Sequence, residues 1–134
     1  MTTWLQYVVA FVVFCHGFIY VRIGSALPDP IPEWNGGSWL LGQAVVDQRL
    51  ITLIVGLHVI AGIGTLATAV AMGLGPQIPG WWRPLAVGSS VIGIVAFAVF
   101  WDGQTQFLLQ QGAIGAAISL TLLVSAIAFP QAFQ

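Results

Sequence analysis

The chain has 134 residues, among them three arginines, no lysine and four acids, for a formal net charge of -1. Its mean hydropathy is +0.96. These values exclude a water-soluble domain, and the missing basic footprint excludes nucleic acid as a partner.

Residues 1–21, 50–75, 84–101 and 103–129 contain no Asp, Glu, Lys or Arg. A hydrocarbon core about 30 Å thick takes about 20 apolar residues as a helix. Each stretch meets or approaches that length, so the sequence predicts an all-α polytopic membrane protein, a single bundle of four transmembrane helices. A β-barrel is excluded, because the roughly ten-residue alternating segments it needs are missing.

The first span is expected over about 4–24. It is rich in Val, Phe and Ile, yet in lipid an apolar run must close its own backbone hydrogen bonds as a helix. Met1-Thr2-Thr3 lacks the basic start of a signal peptide, and the run exceeds an apolar region of about 7–15 residues. It therefore reads as a retained span.

The connection over 25–47 opens with Leu27-Pro28-Asp29-Pro30-Ile31-Pro32-Glu33, whose alternating prolines favour an extended path. Trp34-Asn35-Gly36-Gly37-Ser38 reads as a turn. Trp39-Leu40-Leu41-Gly42-Gln43-Ala44-Val45-Val46 is too short to span and too apolar for water, which predicts a short interfacial segment. Asp47 is placed to cap the second span.

The second span, 48–74, is predicted to stop at Gly73-Leu74-Gly75-Pro76. Pro84 suits the first turn of the third, 84–101, which ends at Trp101-Asp102-Gly103. The fourth is expected over 104–129, with Thr105 as its cap and Pro130 as its stop. Four spans place both termini on one side, here the terminal face; the 25–47 connection and the Asp102-Gly103 turn lie on the other, the loop face. Trp34, Trp39 and Trp101 then mark one interface and Trp4, Trp81 and Trp82 the other, as aromatic belts do. Arg22 and Arg49 fall at the loop face, Arg83 and the amino terminus at the terminal face. This near balance places the termini in the cytoplasm by a slight margin and leaves insertion in both orientations open.

The rarer polar groups share a depth. At about 1.5 Å per residue, His16 and His58 lie ~12 and ~13 Å in from the loop face. Gln110 and Gln111 fall at a similar or slightly shallower level, with Asp102, Arg22 and Arg49 above them. Buried polar groups in a membrane are costly unless paired and are candidate functional groups by default. Three readings follow. The histidines hydrogen-bond between helices as structural glue. Alternatively they ligate a tetrapyrrole, haem or chlorophyll, with Gly17, Gly56 and Gly62 giving the macrocycle room. In the third reading the layer serves a small oligomeric transporter. A metal site is disfavoured, because Cys15 and His16 point to different helix faces. Small residues at Ser89/Gly93, Gly64/Thr68, Ala113/Ala117 and Gly112/Gly115 suit close helix packing. No catalytic motif is visible.

Cys15-His16-Gly17-Phe18-Ile19-Tyr20 resembles the HG-x-I-H signature in the first span of uncharacterised small four-span bacterial membrane proteins. The resemblance continues through Gly37-Ser38-Trp39-Leu40-Leu41-Gly42, Trp81-Trp82-Arg83-Pro84-Leu85-Ala86 and Phe100-Trp101-Asp102. It implies the four-span architecture and a bacterial inner membrane, and it assigns no activity. Tyr20 departs from it, standing where the signature has its second histidine. With almost no mass outside the bilayer, the expected role is a non-enzymatic subunit or accessory protein. Its partners would be lipid and other membrane subunits or further copies of itself.

Overall fold

The computed structural model describes residues 3–26, 37–41, 48–78, 80–109 and 112–131. The fold is all-α with four helices: α1, Thr3–Ala26; α2, Gln48–Leu74; α3, Trp82–Phe100; and α4, Ala113–Ala128. Three of them, over Trp4–Ser25, Ile51–Leu74 and Trp82–Phe100, are long and apolar enough to cross a membrane.

Neighbouring helices run antiparallel. Gln6 meets Met72, Gly17 meets Gly62, and Gly24 meets Val55 and Val59 across the α1–α2 contact. Gly64 lies on Ser89 and His58 on Phe100 between α2 and α3. Gly112 near Phe97, Gly93 near Ser119 and Arg83 at Ala126 set the register of α3 on α4. Each helix packs on the next in sequence, whereas α1 and α4 approach each other only slightly.

Local sequence explains most boundaries. The second helix stops at Leu74, where Gly75 takes φ +42° and begins a short 3-10 turn over Gly75–Gln77. The third starts at Trp82, two residues before the expected Pro84. Gly80, with φ +80°, makes the turn before it, and a proline is tolerated in a first turn because its missing N–H has no intrahelical partner there.

The fourth helix departs most from expectation. It begins at Ala113, not at 104, and runs for 16 residues, about 24 Å. The cause is Gly112, whose φ of +102° lies in the left-handed region and cannot continue a right-handed helix. Thr105 therefore opens a separate 3-10 turn, Thr105–Phe107, and caps nothing in α4. Although short, α4 follows α3 from Phe97 to Arg83, nearly its whole length.

At the loop face, Trp39, Leu40 and Leu41 form a turn. The Ser38 hydroxyl accepts from the N–H groups of Leu40 and Leu41, and the Trp39 N–H donates to the Trp101 carbonyl at 2.8 Å. The remainder of the expected interfacial segment, 42–46, lies outside the described residues, as do Trp34 and the expected cap Asp47. Trp4, Trp39 and Trp81 are exposed, as a belt requires, but Trp82 is fully buried. Its place on α3 turns it inward with Ala86, onto a core of Ala10, Val13, Met72, Leu122 and Ala126.

Candidate functional site

Residues four apart on a helix share a face, and His16 and Tyr20 do so on α1. Both are buried, and both reach Ser119 of α4. The His16 Nε2 lies 3.3 Å from the Ser119 hydroxyl, and the Tyr20 hydroxyl lies 3.1 Å from it. These contacts close the seam that the α1 and α4 backbones leave open.

The Tyr20 ring lies beside both histidines. Its centroid is 4.7 Å from that of His16 and 5.8 Å from that of His58. His58, also buried, turns its other side to Phe100 in an edge-on contact at 5.7 Å. Its Nδ1 lies 2.9 Å from the Ile54 carbonyl. A carbonyl only accepts, so Nδ1 carries the proton and the tautomer is set.

The two histidines are therefore in one cluster, joined through Tyr20. The rest of the expected layer is described only in part. The Asp102 carboxylate accepts from the Gln104 N–H and from the Gln104 amide, each at 2.9 Å. Arg22 is exposed. Arg49 lies in the first turn of α2, and its side chain is outside the described set. Gln110 and Gln111 are also outside the described residues.

The cluster does not hold a macrocycle between its two imidazoles. A macrocycle between two imidazoles needs a flat void, and Tyr20 fills the space beside both rings. Nor do Gly17 and Gly62, two of the three glycines expected to make room, do so. A Cβ on Gly17 would meet the Leu66 nitrogen at 2.9 Å and the Gly62 carbonyl at 3.0 Å; one on Gly62 would meet the Gly17 carbonyl at 2.9 Å. That room is occupied by helix backbone. Gly56 alone of the three has open space, with nothing within 4 Å. Among the described residues no three His, Cys, Asp or Glu side chains gather as metal ligands.

A serine beside a histidine has the residue types of a nucleophile and its base. Here the hydroxyl is enclosed. A single carbon added at Gly93 would lie 2.6 Å from the Tyr20 hydroxyl and 3.1 Å from that of Ser119, so a substrate carbon has no room at that side. The arrangement ties helices together.

Ser119, Tyr20 and Gln6 carry interactions that the sequence reading did not assign. Ser119 is masked by habit: hydroxyls in apolar helices bond back to their own backbone, as Thr65, Thr68 and Thr121 do here. The shared face of His16 and Tyr20 was the available signal. Gln6 donates to the Met72 carbonyl in the last turn of α2, so the terminal half is not without polar contacts.

Comparison of the chain with protein families, curated proteins and solved structures finds no match.

Proposed function

We propose that the chain is a non-enzymatic integral membrane subunit or accessory protein, packing against partner proteins within a bacterial inner membrane. The observation that carries this reading is the use of the interior. The His16–Tyr20–Ser119 contacts and the Gly17–Gly62 approach commit it to holding helices together. Partner recognition then falls to the outward faces, which carry Phe11, Ile63 and Ile114, among others, more than half exposed. In this reading the termini lie in the cytoplasm, on the face that holds Arg83.

Photo-crosslinking side chains installed at Phe11, Ile63 and Ile114 test the reading in cells. At least one is expected to give a discrete adduct with a larger membrane protein. Lipid adducts alone at all three overturn it, and adducts with a second copy alone favour the small oligomeric transporter instead. The purified protein is expected to be colourless; a Soret or Qy band would restore tetrapyrrole ligation.

A further inference from the structure

Arg83 is the described arginine of the terminal face. Asp29, Glu33 and Asp47 all fall between α1 and α2, and Asp102 follows α3. Asp102 lies past the opposite end of α3 from Arg83, which is in its first turn. Among the described residues no acidic side chain meets the charge of Arg83.

The side chain is exposed but held. Its Nε donates to the Ala126 carbonyl at 3.0 Å, among the last carbonyls of α4, which have no intrahelical donor and carry partial negative charge. That bond uses one of the five N–H groups of a planar, rigid fork. Among the described residues no acceptor meets the four hydrogens on the Nη atoms, which are available to a group outside the helix pair. A guanidinium fork matches two oxygens of a phosphate in a way that a lysine ammonium does not.

Arg83 also sits at a suitable depth. The helix after it is apolar through to Phe100, so its start marks the edge of the hydrocarbon. Trp81, two residues earlier, is 63% exposed, and exposed tryptophans settle at the headgroup level. The buried neighbour Trp82, 1% exposed, fixes the start of α3 against the core and so fixes the height of the fork.

We propose that Arg83, held by the Ala126 carbonyl and flanked by Trp81, binds the phosphate of an anionic phospholipid at the terminal face. An anionic lipid is selected over a zwitterionic one because the fork supplies a charge that no headgroup amine needs to balance. The site depends only on the membrane embedding and is independent of any partner protein.

Native mass spectrometry of the full chain in mild detergent tests this, with phosphatidylglycerol and phosphatidylcholine of identical acyl chains as probes. The wild type is expected to retain phosphatidylglycerol preferentially. Arg83→Gln is expected to lower that preference about tenfold, the effect of losing charged hydrogen bonds. Arg83→Lys keeps the charge without the fork and should fall between the two; it also serves if Arg83→Gln fails to fold. Arg22→Gln, at the other face, should leave the preference intact. Equal retention of both lipids by the wild type overturns the proposal. So does a preference that survives in both Arg83 variants or is lost in Arg22→Gln. Inorganic phosphate at millimolar concentration should not displace the lipid; displacement would assign the site to the free anion and overturn the lipid reading.

Discussion

In the loop-face half of the bundle, α1 and α4 meet through a hydroxyl, a phenol and an imidazole; in the terminal half, Ala10 and Val13 of α1 and Leu122 and Ala126 of α4 share one apolar core with Met72 and Trp82. The first kind of contact has direction. Ser119 satisfies His16 and Tyr20 only when α4 is rotated to present that one side chain. The second kind is a fit of shapes, with Trp82 as its largest piece. Lipid tails are as apolar as leucine, so burying apolar groups between helices gains little from leaving water. The terminal half is held by close packing, and the loop half by bonds that lipid cannot replace. The two halves should therefore respond differently to mutation.

The largest effect is expected in the terminal half. Trp82→Ala removes a fully buried ring from contacts shared by all four helices. A cost of about 3 kcal/mol is expected, at the low end for a large core deletion because the unfolded reference also lies in lipid. Reversible unfolding in bicelles measures it. A cost near that of Ser119→Ala would mean that the terminal half is no better packed than the other. Next comes the α1–α2 contact, where Gly62→Val would drive a side chain into the Gly17 carbonyl and the Val21 nitrogen, each at 2.9 Å from the added Cβ. Overpacking against backbone is expected to cost about 2 kcal/mol. Gly56→Ala, with nothing within 4 Å, is the matched control and should unfold like the wild type.

The same comparison shows what was legible in the sequence. Features set by local chemistry read well. Gly73-Leu74-Gly75-Pro76 ended α2 at Leu74, because a glycine and a proline stop a helix wherever it is packed. The shared depth of His16 and His58 does not hold: Gly17 lies against Gly62 and Gly24 against Val55 and Val59, a register that sets His58 nearer the loop face than His16, with Tyr20 between them. Features set by rotation did not read well either. Nothing in the composition of α3 says that Trp82 faces the core while Trp81 faces out. The Ser119 partnership needs the phase of α4, which Gly112 resets. The sequence pattern sets the start of α4 too early for a related reason, because a positive φ belongs to the backbone and leaves no hydrophobic pattern. In the sequence Tyr20 stands as the loss of a second histidine, whereas in the structure it links the two histidines that remain.

Smaller effects sharpen the loop half. Ser119→Ala removes the atom shared by His16 and Tyr20, and about 1 kcal/mol is expected, within the range for interhelical bonds in membranes. Tyr20→Phe removes one of the two contacts. Combining the two variants should give a coupling of about 0.6 kcal/mol, read from a double-mutant cycle on bicelle unfolding. Zero coupling would reduce the seam to a proximity of side chains.

The smallest effect returns to the edge of the terminal half. Gln6 reaches from α1 to the Met72 carbonyl and satisfies one acceptor at the end of α2. A Cβ on Gly75 would strike its amide, so the glycine that ends α2 also admits the side chain that caps it. Gln6→Leu keeps the bulk and removes the donor. Water at the membrane edge can take its place, so a loss of only about 0.5 kcal/mol is expected. The clearer readout is local. Amide exchange in the last turn of α2 should quicken while exchange around His58 stays unchanged. If both regions quicken together, the two halves unfold as one unit, and the contrast between them describes how the bundle is packed without dividing how it opens.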